Sequence, residues 1–157
     1  MKEIITLQTN RCLLTPFKED DAGWLLQLIN APDVLHFMEG MSLFAENIES
    51  ARLFIRNMNQ EYRKGNAFLW AIQHKGELIG FVAIYDFRTL PHLFYAVSAE
   101  KRCQGFATEC VSTVTTYIHD FYNLPLTTTV EEDNFASKRV LIKCGYQYDM
   151  DRKLYVS

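Results

Sequence analysis

Residues 93–120, LFYAVSAEKRCQGFATECVSTVTTYIHD, constrain the fold of this chain more than any other stretch. The compact apolar run 93–97 predicts a strand. Phe106, Cys110, Val114, Tyr117, Ile118 and Phe121 then recur on one face at helical spacing. Between them lies a polar, glycine-bearing turn, Arg102-Cys103-Gln104-Gly105-Phe106-Ala107, that opens straight into the helix. The first N–H groups of a helix have no internal partner, and the helix dipole leaves that end partly positive, so an anion can be held there. Gly105 allows close backbone approach and angles closed to other residues, Ala107 keeps the helix start slim, and Arg102 adds charge. By itself this pattern also describes an ordinary αβ corner with a tight turn.

The remainder reads as strands and helices in the order β-α-α-β-β-β-α-β-α-β-β. Residues 11–16 predict a first strand, and Lys18-Glu19-Asp20-Asp21 the N-cap and acidic first turn of a helix whose apolar face is Trp24, Leu25, Leu28 and Ile29. That helix should stop before Pro32; residues 36–41 fit either a short helical turn or a loop. Ser42 is the expected N-cap of a long second helix carrying Phe44, Ile48, Ala51, Ile55, Met58 and Tyr62, which Lys64-Gly65-Asn66 ends. Strands are expected at 68–73 and 78–85, joined as a hairpin through His74-Lys75-Gly76-Glu77. After the central helix, Asn123 and Pro125 break the chain. Residues 126–130 form a threonine-rich strand. A short helix with Ala136, Val140, Leu141 and Cys144 on one face follows, with Gly145 as its C-cap. Short strands at 146–148 and 153–156 complete the pattern, with Tyr146 and Tyr148 both expected in the core. This order implies an α/β (α+β) protein with a mixed, mostly antiparallel, twisted sheet flanked by helices. It does not fit a dinucleotide fold, whose glycine turn follows the first strand.

A chain of 157 residues suits a single domain, 1–157, with a sizeable core. Its 48% hydrophobic and 22% charged residues match neither a disordered nor a membrane protein. The longest apolar-leaning run, 78–85, is far short of the ~20 residues that span a bilayer, and residues 1–7 lack a signal-peptide core. A cytoplasmic protein with no membrane partner is expected. A net charge of -3 argues against nucleic acid as a partner, because phosphate binding needs a basic stripe. Cys12, Cys103, Cys110 and Cys144 are scattered without zinc-site spacing, so buried free thiols and no metal are expected.

A second signal lies downstream: Asn134-Phe135-Ala136-Ser137, followed by Val140, Leu141, Lys143, Cys144, Gly145 and Tyr146. The two motifs, in this order and about thirty residues apart, resemble the GNAT superfamily of acetyl-CoA-dependent N-acetyltransferases. Within it they are similar to the RimJ/RimL-type, ribosomal-protein-alanine acetyltransferase-like branch. Residues 9–17 and Asp20-Asp21-Ala22 look like that branch's opening strand and helix, and Leu78-Ile79-Gly80 like its third strand. The likeness covers residues 9–148.

This resemblance implies acetyl-CoA as cosubstrate and direct transfer to a primary amine, at a protein N-terminus or in a small molecule, within a ternary complex. It implies that Ala96 and Val97 pair their backbone with the pantetheine arm like an added strand. Amides of Gln104, Gly105, Phe106, Ala107 and Thr108 would cradle the pyrophosphate beside Arg102. Asn134 would bind the arm, and Arg139 or Lys138 the adenosine phosphate; a plain helix N-cap is the other account of Asn134. An N–H near Val97 is the candidate for stabilising the oxyanion.

The base is open among His92, Asp86 and Glu39. His92 stands where many of the branch carry glutamate and has a suitable ordinary pKa, although a loop-end histidine without a role explains it equally. Many GNAT enzymes protonate the thiolate with a tyrosine at the position of Leu141; here Ser137 is the candidate for orienting the thiol or a water, or is simply a polar residue in a first helical turn. Cys103 replaces the usual glycine, either modifiable or tolerated. Glu131-Glu132-Asp133 is either a solvated loop or an attractor of a cationic acceptor. Other readings are a non-catalytic acyl-CoA binder of the same fold and an interaction domain without ligand; a homodimer is an open option.

Overall fold

Successive side chains on a strand point to opposite faces, so a strand buried on both sides feeds two separate cores. In the computed structural model, which describes residues 4–157, β3 (Phe68–His74), β4 (Glu77–Tyr85) and β5 (His92–Val97) do so. With β1 (Leu7–Gln8), β2 (Leu13–Pro16), β6 (Thr127–Thr128), β7 (Gln147–Asp149) and β8 (Leu154–Val156) they form an eight-stranded sheet, in the order β1-β2-β3-β4-β5-β6-β8-β7. Every neighbouring pair is antiparallel except β5–β6. This is the mixed sheet expected from the order of elements.

One face carries α1 (Ala22–Ile29), α2 (Pro32–Phe37) and α3 (Ile48–Arg63), packed through Leu25, Ile29, Val34, Phe54 and Ile55 onto Leu69, Phe81 and Ala96. The other carries α4 (Phe106–Tyr122) and α5 (Phe135–Lys143), packed through Phe106, Cys110, Val114, Ile118 and Leu141 onto Trp70, Ile72, Leu93 and Val97. Each large side chain so buried contributes ~1.5–3 kcal/mol. The alternation slips once. Gly80 pairs with Ile72 but Leu78 with Gln73, so Ile79 is an extra residue, a β-bulge that sends Leu78 and Phe81 to the α1–α3 face and Ile79 to the other.

Local chemistry explains most element ends. The hairpin turn holds Lys75 at φ 51 and Gly76 at φ 78, the paired left-handed conformation that suits two-residue loops. The C-terminus of α5 closes with Gly145 at φ 87, Tyr146 N–H bonded to Leu141 C=O (2.9 Å) and Gly145 N–H to Ile142 C=O (3.0 Å).

Several expectations are corrected. The long helix starts at Ile48, not after Ser42: Asn47 is the cap, accepting from Ser50 N–H at 2.8 Å, while Glu39–Phe44 forms a 3-10 turn that takes Phe44 out of the helix. Pro32 stops α1 but also starts α2, since its missing N–H and fixed φ suit a first helical position. The first helix is preceded by a 3-10 turn, Glu19–Asp21. β1 was not foreseen, and the strand expected over 126–130 shrinks to two residues. Phe121 is 73% exposed and Tyr148 52% exposed. Tyr146 is buried because it still belongs to the turn closing α5, with its hydroxyl 2.8 Å from Thr115, whereas Tyr148 lies on the edge strand against Tyr155.

Two ion pairs tie α2 to the loops on the opposite side of the sheet. Asp33 meets the Arg102 guanidinium, and His36 Nε2 lies 2.9 Å from an Asp133 carboxylate oxygen. The hydrogen bond to Asp133 raises the His36 pKa above its ordinary 6.5, and the same contact lowers that of Asp133 below 3.8.

Two predictions follow from this packing. A Cβ at Gly80 would lie 2.3 Å from Ala96 C=O, whereas one at Gly23 meets nothing within 4 Å. Gly80→Ala therefore costs about 2 kcal/mol in urea unfolding, while Gly23→Ala gains about 0.5 kcal/mol; equal stabilities would contradict the crowding at Gly80. The His36–Asp133 tether is complete between the lowered Asp133 pKa and the raised His36 pKa, and is lost as pH rises through the latter. Backbone amides of 34–38, corrected for intrinsic exchange rates, should exchange faster at about pH 8.5 than at about pH 5.5, and His36→Phe should remove that difference. A wild-type profile unchanged across the range would refute the tether.

Candidate functional site

β5 and β6 pair at a single position, His92 with Thr127. Beyond it the strands part, and the opening between them becomes a cleft of about 510 Å³. β5 and the loop after β6 form its sides, the start of α4 and one face of α5 its ends, and Val34, Phe37 and Met38 of the α2 region a wall.

Register decides which backbone groups face it. Ser98 N–H bonds Ile79 C=O at 2.7 Å, so by the alternation of an antiparallel ladder Ala96 turns its N–H and C=O to β4, while Tyr95 and Val97 turn theirs to the cleft. Arg102 Nε already donates to Val97 C=O at 2.9 Å. The expected backbone pair of Ala96 and Val97 is thus corrected: Ala96 is committed to the sheet, and the edge on offer runs through Tyr95 and Val97.

The glycine-bearing turn before α4 has the backbone shape expected of it. Cys103 (φ 58) and Gly105 (φ 83) both take left-handed conformations, and Gly105 caps α4 without any side-chain cap. The first main-chain bond within α4 is Glu109 N–H to Gly105 C=O, at 3.0 Å, so the N–H groups of Phe106, Ala107 and Thr108 precede the helical ladder. Those three residues and Gly105 line the cleft. Gln104 does not: its amide turns to Glu100 C=O at 3.0 Å and its own C=O accepts from Arg11 at 2.9 Å. Arg11 braces the turn from outside, also bonding Glu109 (2.9 Å) and standing 4.1 Å over the Phe106 ring. Burial acts to raise the Glu109 pKa, but hydrogen bonds from Thr9 and Arg11 outweigh it and hold the carboxyl below its ordinary value.

Asn134 caps α5, its Oδ1 accepting from Ser137 N–H at 3.2 Å, and both side chains line the cleft. Ser137 Oγ lies 2.6 Å from the Tyr95 hydroxyl. Arg139 lines the cleft with Lys143 one turn further on, and Lys101 lies on the opposite end; Lys138 instead donates to Glu132 C=O at 2.7 Å. Arg102 borders the cleft but is held by Val97 and Asp33, so it shapes the turn as well as adding charge.

None of the three candidate bases lines the cleft. Asp86 sits in a turn at φ 52, and Glu39 is exposed in the 3-10 turn. His92 Nε2 accepts from Thr129 N–H at 3.3 Å, and burial holds its pKa below the ordinary value against the pull of Asp86. His92 therefore fastens β5 to β6. Leu141 is fully buried, and Cys103 is exposed rather than buried. Tyr95, Lys101 and Lys143 were missed. The period-2 rule applied backwards from Val97 would have found Tyr95, and the i, i+4 spacing from Arg139 would have found Lys143. Among the described residues no group of three or more His, Cys, Asp or Glu is placed to hold a metal, and no helix is long and apolar enough to cross a membrane.

Residues 11–147 match the family model described as acetyltransferase (GNAT) domain. The chain is 29% identical over 149 residues to the uncharacterized N-acetyltransferase YoaA of Bacillus subtilis (strain 168), covering 90% of this chain and 82% of that protein. Its fold is similar to that of RimL, a ribosomal L7/L12 alpha-N-protein acetyltransferase in complex with coenzyme A (TM-score 0.87, 14% identity, 98% and 97% of the chains covered). It is also similar to Mycobacterium smegmatis RimJ in complex with CoA-disulfide (TM-score 0.81, 20% identity, 97% and 85% covered). Because the family model matches the chain over residues 11–147, the protein belongs to the GNAT family of acetyltransferases.

Proposed function

We propose that this protein transfers the acetyl group of acetyl-CoA directly to a primary amine, either the α-amine of a protein N-terminus or a small-molecule amine, with donor and acceptor bound together. The observation that carries this is the backbone edge of Val97 facing the parting of β5 and β6, in the same cleft as Phe106, Ala107 and Thr108, whose N–H groups precede the helical ladder. In this reading the pyrophosphate rests on the α4 amides and Gly105. The pantetheine arm lies along β5 as an added strand, touching Asn134, and Arg139 with Lys143 meets the adenosine phosphate. Val97 N–H holds the oxyanion that forms when the amine attacks, and Ser137 faces the sulfur.

The amine must be neutral to attack. His92 is bonded to Thr129, and Asp86 and Glu39 lie outside the cleft. Of the two carboxylates that line it, Asp33 is paired with Arg102 while Glu131 sits in the loop after β6, so this reading favours an acceptor that supplies its own free base. An α-amine titrating near 8 is about one-tenth neutral at pH 7, against roughly 1 in 2,500 for a lysine side chain near 10.4. RimL, which the fold resembles, is named for α-amine acetylation of a protein. A protein α-amine is accordingly the first acceptor to try.

Calorimetric titration with acetyl-CoA should show one site per chain, and free-thiol release across a panel of N-terminal peptides and small amines should show turnover with at least one. Binding without turnover on any amine would sink the catalytic half. Gly105→Val places a Cβ 3.2 Å from the Arg11 guanidinium in a left-handed conformation that costs ~1–2 kcal/mol. The variant should stay folded by circular dichroism yet bind acetyl-CoA at least about tenfold more weakly; unchanged affinity would move the coenzyme off this turn.

A further inference from the structure

Tyr95 stands on the α4–α5 face of β5, two residues before Val97, with its hydroxyl 2.6 Å from Ser137 Oγ. Both residues line the cleft. Two hydroxyls that share one contact carry two protons, so one O–H serves the contact and the other is left to donate a hydrogen bond elsewhere. A phenol is the stronger acid of the two, which makes Tyr95 the donor within the pair and leaves the serine proton free to turn into the cleft. Ser137 is fixed in turn by Asn134, whose Oδ1 accepts from its N–H. Leu141, one turn further along α5, is fully buried and has nothing to donate.

We propose that Tyr95 is a positioning residue for acetyl transfer: its hydroxyl, bonded to Ser137, aims the Ser137 O–H at the coenzyme sulfur. This rests on the reading of the cleft as the acetyl-CoA site. When the amine attacks and the tetrahedral adduct collapses, the C–N bond is made, the C–S bond breaks, and its electron pair goes to sulfur. The Ser137 hydroxyl stabilises that charge by a hydrogen bond to an ion, a stronger bond than one between neutral groups. One proton leaves nitrogen and one arrives at sulfur, so both hydroxyls keep their protons and no further reactant is consumed. Burial pushes the Tyr95 pKa up to about 12, outweighing the lowering effect of its contact with Ser137, so the phenol keeps its proton through the working range.

The test is the ionisation of the coenzyme A thiol bound to the protein, followed by thiolate absorbance against pH. In the wild-type complex it should ionise about one pH unit lower than in Tyr95→Phe, a tenfold difference in equilibrium. Ser137→Ala should show the same loss, and the double variant no further loss, because the two groups act as one unit. Affinity for coenzyme A at about pH 6 should stay within about threefold in all variants, since a neutral thiol gains little from the pair. With an amine that turns over, kcat should fall about tenfold with KM unchanged. An unshifted thiol in Tyr95→Phe, or losses that add in the double variant, would overturn the proposal. Should Tyr95→Phe fold poorly, an unshifted thiol in Ser137→Ala overturns it alone. Absence of coenzyme A binding to the wild-type chain would overturn this proposal together with the proposed function, whereas binding with an unshifted thiol would overturn this one only.

Discussion

Backbone N–H and C=O groups must all find partners, and the parting of β5 from β6 is where this sheet leaves that requirement open. One residue pair, His92 with Thr127, holds the two strands together, reinforced by the Thr129 N–H on the His92 ring and by Thr127 on Pro91 C=O. Past that point β5 offers Val97 to whatever enters. The opening survives because β5 is held by β4 on its other edge and by a core on each face, so closing the cleft would mean disrupting both cores. Rigidity elsewhere in the molecule is what allows an unfinished sheet here.

The charges around the cleft show a division of labour. Arg102 is engaged with Val97 C=O and Asp33, which fixes the approach to the turn and joins α2 to it. The start of α4 offers main-chain dipoles, while Lys101, Arg139 and Lys143 supply positive charge from the rim of the cleft. A net charge of -3 is therefore compatible with the proposed binding of a polyanionic coenzyme, because the attraction would be local and directional.

Much of the framework was legible because each signal had a local cause. The Lys75-Gly76 hairpin, the Gly145 helix end and the Gly105 turn follow from positive-φ preferences, and the α4 stripe from helical periodicity. What escaped depended on longer range. Asn47 outcompetes Ser42 as a cap because residues 39–44 are held in a 3-10 turn that packs Met41 and Phe44 against the first core. Pro32 reads as a terminator, and only the structure shows that it also initiates. The motif residues Gly105, Asn134 and Ser137, singled out by pattern, do line the cleft. The resemblance put Ala96 on the open edge beside Val97, but which edge a strand residue presents depends on register with its neighbour, and no single-strand pattern contains it. His92 failed as a cleft residue for the same reason: its ring is claimed by a residue 37 positions away.

The brace behind the Gly105 turn has a thermodynamic consequence. Arg11 reaches Gln104 across 93 residues and Glu109 across 98, so the outer side of this end of the cleft is braced by a residue from the first strands. The turn is therefore not an autonomous loop and helix that could be excised with its affinity intact. A ligand seated on it is linked to the fold of the first strands, and its binding energy stabilises residues it never touches. Protection of the β1–β2 region on adding coenzyme thus becomes a measure of how far that coupling extends.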